Sequence, residues 1–112
     1  MYNPSQSDII WIDFSPSKGK EIRGKRPAVV VSSNAYNKKT NYIIVCPITT
    51  GGNDFIGYVD LQGYAIEGRI NATQLHSFDL SRIASQTFVD KLRAEDLVQV
   101  KQILDYALEI DI

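Results

Sequence analysis

The chain reads as mainly β (α+β): a small, strongly bent sheet or barrel with short helices and a C-terminal helix. Three observations predict this. Short β-branched and aromatic runs recur between turn clusters rich in Gly, Pro and Asn. One apolar stripe of helical period occupies the last segment. The 112 residues, 44% of them hydrophobic, suit one domain (1–112) with a core that needs no disulfide.

Residues 7–14 form the first predicted strand, with Ile10, Ile12 and Phe14 on one face and Trp11 and Asp13 on the other. Ser15-Pro16 ends it. A polar loop follows to Arg26, and Pro27 opens a second strand over 28–32. Its Val29-Val30-Val31 run is typical of burial on both faces. Residues 35–39 suit one helical turn capped by Asn34. Residues 41–48 form a third, nearly continuous apolar strand, closed by the turn cluster Thr49-Thr50-Gly51-Gly52-Asn53. Residues 55–61 alternate as a half-exposed strand. Residues 68–75 form another, with 76–78 extending it. A short helical turn near Ser81-Arg82 and a strand near Phe88-Val89 are expected next. Leu97, Val100, Ile103, Leu104, Ala107 and Leu108 then form one helical stripe, expected to be covered entirely by the core. Glu95 and Asp96 occupy its first turn, where the dipole favours acids, but Arg93 stands where a capping residue is expected.

Composition excludes several classes of function. No apolar run reaches the roughly 18 residues a membrane span needs. The first residues resemble no secretory signal, so the expectation is a cytoplasmic protein. A single cysteine and a single histidine rule out a four-ligand zinc site of those residues. No glycine-rich phosphate motif is present, and no cofactor is expected. The net charge of −1 argues at first against a nucleic-acid partner. The charge is separated, however: residues 1–50 carry seven bases and three acids, residues 51–112 five bases and ten acids.

Five of those bases, Lys18, Lys20, Arg23, Lys25 and Arg26, lie in one loop around a lone acid, Glu21. The loop ends on a buried strand, which would hold Arg26 in place. An ionised carboxylate beside a fixed guanidinium suits base-and-clamp chemistry on a phosphoryl group. Cys46, inside an apolar strand, reads as a small core residue, and a Cys46/His76 dyad has no supporting spacing. His76 alone cannot run two-histidine ribonuclease chemistry. It reads as a structural or binding residue. Thr49 and Thr50 read on their own as turn chemistry.

The segments 8–21 (DIIWIDFSPSKGKE), 26–32 (RPAVVVS), 34–37 (NAYN) and 46–53 (CPITTGGN) resemble, in order and spacing, the motifs of the MazF/PemK toxin family. Gln74 and the terminal helix fit more loosely. The resemblance implies an SH3-like barrel, PemK/CcdB-like, forming a homodimer. It implies a metal-independent endoribonuclease that cuts single-stranded RNA, chiefly mRNA, at short sequences. It further implies a cognate antitoxin whose acidic C-terminal tail fills the RNA groove, with DNA binding in the joint complex. The family's key arginine falls on Arg26, its threonine on Thr49 and a first-loop acid on Glu21. Several members carry an acid just before the glutamine matched by Gln74. Here that residue is Thr73, so that carboxylate's role has no bearer.

RNA is then expected along the basic loop (Lys18, Lys20, Arg23, Lys25). Bases would stack on Trp11 or Phe14 and be read by Thr50, Asn53, Thr73, Gln74 and His76. The alternative is a CcdB-like, non-enzymatic gyrase-binding toxin. It needs a tryptophan near the C-terminus, whereas the one tryptophan here is Trp11.

Overall fold

The computed structural model describes residues 3–14, 25–83 and 87–111, the side chain of Arg82 excepted. Their strands are β1 (Asp8–Asp13), β2 (Lys25–Val30), β3 (Tyr42–Thr49), β4 (Tyr58–Leu61), β5 (Gly68–Asn71), β6 (His76–Asp79) and β7 (Phe88–Lys91). The helices are α1 (Asn34–Thr40) and α2 (Ala94–Ala107), with a single 3₁₀ turn at Leu80–Arg82. All strand pairs are antiparallel, in the order β4-β5-β3-β2-β1-β7 with β6 also on β3. The result is a curled half-barrel sheet with two helices.

β3 carries the curl. One edge pairs with β2 through Val45, Cys46 and Pro47. The other edge pairs with β6 over residues 42–45 and with β5 at Ile48 and Thr49. The pleat sends successive side chains to opposite faces, and here both faces are buried. Ile9, Val29, Cys46, Ile48, Ile70 and Val100 belong to one core, beneath α2. Ile10, Ile12, Ala28, Val30, Ile43, Val45 and Phe78 belong to the other, with Phe14, Leu80 and Ile83 against it. The unbroken apolar runs of β2 and β3 follow from that double burial.

Several boundaries differ from the sequence expectations, each for a physical reason. β1 begins after Ser7, whose φ of 84° is incompatible with a strand. β2 starts at Lys25 rather than after Pro27, because its ladder to β1 runs on through Arg26↔Ile12 and Lys25↔Asp13. Arg26 is thus a strand residue, not a loop residue. α1 has two turns, and its cap is Ser33, whose Oγ accepts from the Tyr36 N–H at 3.1 Å. Asn34 instead accepts from the Gln6 N–H at 2.7 Å. Asn41 (φ 63°) closes α1 in the left-handed region, so β3 starts one residue later. The expected strand over 68–75 with its extension is two strands, since β5 and β6 pair with different stretches of β3. Gln74 N–H donating to the Asn71 carbonyl tightens the turn between them.

The first turn of α2 lacks a side-chain cap, as Arg93 suggested. The loop 62–66 stands in. Arg93 N–H donates to the Tyr64 hydroxyl at 2.8 Å, the Tyr64 O–H donates to Asp96 at 2.5 Å, and the Arg93 guanidinium covers the Tyr64 ring at 4.2 Å. The stripe of α2 is not wholly used by the core: Val100 is buried and Leu97, Ile103 and Leu104 pack on it, but Ala107 and Leu108 are exposed.

A buried polar pair fixes α1 to the sheet. Ser32 Oγ donates to Asn37 Oδ1 at 2.5 Å and accepts from the Ile44 N–H at 2.9 Å. Asn37→Ala strips that hydroxyl of its acceptor, so stability should fall by about 1–3 kcal/mol in a denaturant titration. At Gly68 (φ 142°) an added Cβ would lie 2.7 Å from the Thr49 carbonyl oxygen. Gly68→Ala should therefore cost more than about 1 kcal/mol and lower the melting temperature. A variant as stable as the parent would contradict that packing.

Candidate active site

Where β2 and β3 end beside the connection from β4 to β5, an open cleft of about 690 Å³ is lined by Trp11, Arg26, Pro27, Ile48, Thr49, Thr50, Ile66 and Glu67. The ladder explains the gathering. Trp11 stands opposite Pro27, Ile12 opposite Arg26, and Ala28 opposite Pro47, so the ends of three strands meet there. Thr49, the last residue of β3, is held by its pairing to Arg69 and by the close approach of Gly68.

The Arg26 guanidinium is exposed and has no ion pair or hydrogen bond among the described residues. Among those residues it lies over the Phe14 ring, 5.8 Å away. Phe14 in turn meets His76 edge-on at 4.9 Å and Phe78 at 5.3 Å. The cation is thus propped by an apolar wall that leaves its donors free, as an anion site requires. Among the described residues, Thr49 Oγ1 receives a long contact from the Gly51 N–H, 3.5 Å.

A second set of contacts shapes the rim. Arg69 lies over the Tyr58 ring at 5.0 Å, pairs with Asp60 at 3.4 Å and donates to the Asn53 carbonyl at 3.2 Å. Gly52, at φ 102°, leaves room for the Tyr58 hydroxyl, which a Cβ would meet at 2.7 Å. These contacts fasten the segment after Thr50. On the other side, Tyr64 ties the loop that carries Ile66 and Glu67 to α2. Burial and the hydrogen bond to Asp96 push its phenol above the ordinary range. Ala65 N–H donates to Asp90 at 2.8 Å, and this bond with that of the Lys91 N–H lowers the Asp90 carboxyl.

Of the residues singled out from sequence, Arg26, Thr49, Thr50 and Trp11 come together in the cleft, and Phe14 and His76 buttress Arg26. Lys25 is exposed next to Arg26 on β2. Asn53 is exposed on the rim. Thr73 lines a different groove, with Phe55, Tyr58, Gln102 and Tyr106, and Gln74 accepts from Asn71 beside it. Lys18, Lys20, Glu21 and Arg23 lie outside the described residues. Cys46 faces the first core and donates to the Ala72 carbonyl at 3.4 Å, while burial pushes its thiol up to about 12. His76 sits opposite Val45, on the other face, so the pleat separates the two groups of the considered dyad. Glu67 is the cleft residue that sequence reasoning missed. Its one available signal was an acid directly before a glycine at a strand start.

Comparison with known proteins identifies the family and the fold. A profile of the family described as "PemK-like, MazF-like toxin of type II toxin-antitoxin system" matches residues 5–108. The endoribonuclease toxin MazF of Escherichia coli K12 is 42% identical over 76 residues, 68% of each chain. The crystal structure of MazF from Deinococcus radiodurans superposes with a TM-score of 0.83 at 30% identity, over 98% of this chain and 100% of that one. A MazE–MazF structure from the same organism gives 0.83 at 29%, over 99% and 100%. With a profile that runs almost from end to end of the chain, the protein belongs to the family of PemK-like, MazF-like toxins of type II toxin–antitoxin systems.

Proposed function

We propose that this toxin is an endoribonuclease that cuts single-stranded RNA, chiefly mRNA, at short sequences and without a metal ion. The observation that carries the reading is the pairing of an unengaged Arg26 guanidinium with the Thr49 side chain in one cleft, beside the exposed ring of Trp11. A cation with free donors and a hydroxyl recognise a phosphodiester. An exposed indole stacks a base. A relative named as an endoribonuclease is 42% identical over 76 residues, 68% of this chain.

The ribose 2′-hydroxyl attacks the adjacent phosphorus, so that the O2′–P bond forms as the P–O5′ bond breaks. The 2′ proton passes to a carboxylate, for which the family resemblance offers Glu21. Arg26 neutralises the charge that grows on the phosphoryl oxygens, the largest expected contribution in such a site. Thr49 donates to the same group, and the departing 5′-oxygen takes up a proton. The products are a 2′,3′-cyclic phosphate and a 5′-hydroxyl. A cognate antitoxin with an acidic tail would compete for the same cationic groove. The functional unit would be a homodimer in the cytoplasm.

Purified protein incubated with a long single-stranded RNA in EDTA should yield fragments with 5′-hydroxyl ends. A requirement for magnesium, or 5′-phosphate ends, would refute the scheme. Arg26→Ala should lower the cleavage rate by at least about 10²-fold without altering the circular dichroism spectrum, and Thr49→Ala should cost less. Glu21→Gln cutting at the full rate would remove the proton-acceptor role from that residue.

A further inference from the structure

The cleft holds a carboxylate where a polyanion is expected to lie. Glu67 is exposed, lines the cleft beside Ile66 and Thr49, and has no hydrogen bond or ion pair among the described residues. It does not pair with Arg26, although both border the same space. Its position is built rather than incidental. Gly68 locks the backbone against the Thr49 carbonyl on one side, and Tyr64 fastens the loop to α2 on the other. An unpaired anion in an RNA groove repels phosphate, and a ligand that displaces its water must give it hydrogen bonds in return.

The remaining walls say which part of the ligand lies there. Trp11 and Pro27 present rings and Ile48 and Ile66 add apolar surface, so that region takes a base, while Arg26 takes the phosphate. An ionised carboxylate only accepts. Guanine alone among the four bases offers two adjacent donors on one edge, N1–H and the N2 amino group. Adenine and cytosine set an acceptor beside their amino group, and uracil flanks its single N–H with two carbonyls. We infer that Glu67 is a specificity-determining residue that reads a guanine bound against Trp11, next to the phosphate held by Arg26. The inference rests on the cleft being the RNA site and names what that site prefers.

Two measurements test it. In the first, cut sites on a long single-stranded RNA are mapped for the parent and for Glu67→Gln. Sites of the parent should share a guanine at one position beside the cut. The variant should lose roughly 10- to 100-fold at those sites and relax its preference there, the discrimination one bidentate base contact gives. In the second, binding of 2′-O-methyl oligonucleotides, which cannot be cut, is followed by the fluorescence of Trp11, the chain's one tryptophan. Replacing the guanine by inosine, which lacks the N2 amino group, should weaken binding to the parent and leave Glu67→Gln indifferent. Cut sites without a shared guanine would overturn the inference, as would equal binding of guanine and inosine. A uniform loss of rate over all sites with the acidic limb of the pH profile altered would also overturn it, by making Glu67 a proton acceptor. A parent that cuts no RNA would remove the nuclease reading while the binding measurement still decides this one.

Discussion

Burial of β3 on both faces is the constraint from which the rest of the molecule follows. A strand with two dry faces must be covered twice, and the pleat assigns the cover: Ile43 and Val45 to one core, Cys46 and Ile48 to the other. It must also be paired along both edges, or buried backbone groups go without partners. β2 fills one edge. β6 and β5 divide the other, and the division turns the sheet. Thr49 stands at the end of this strand, so its position inherits the rigidity of the whole sheet. Arg26 gains the same support through β2. Groups that must meet a reacting phosphate within a fraction of an ångström are better held by strands than by loops.

The polar groups divide into two sets. One set is satisfied and structural: Ser32 with Asn37, Tyr64 with Asp96 and Arg93, Arg69 with Asp60 and the Asn53 carbonyl. The other set, Arg26 and Glu67 of the cleft, has no hydrogen bond or ion pair among the described residues. Two charges of opposite sign that border one cleft without pairing leave both free to meet a ligand. Arg26 illustrates how the two sets cooperate. Its support is an aromatic wall rather than a carboxylate, so it is positioned without being neutralised.

Much of this was legible in the chain. The valine run of β2 announced a strand buried on both sides, and the period of α2 was visible in Leu97, Val100, Ile103 and Leu104. Arg26 was reached from charge alone, because five bases around one acid end on an apolar strand. What escaped was set by tertiary contact. The break between β5 and β6 depends on which part of β3 each finds, a matter of pairing rather than propensity. Ser33, rather than Asn34, caps α1 because Gln6 engages the asparagine from far away in sequence. Glu67 escaped because a lone acid in an acidic half of the chain looks like solvated surface until Gly68 places it beside Thr49.

The pairing of β1 with β7 joins the two ends of the chain. Lys91 binds Asp8 at 2.8 Å, Leu92 N–H donates to the Ser7 carbonyl at 2.8 Å, and Ile9 shares a core with Leu92 and Val100. Every residue that lines the cleft lies before position 68, so a growing chain emerging from the ribosome carries all of them early. The core behind them, however, stays open until β7 and α2 have been synthesised. Such non-local closure defers folding until α2 is available.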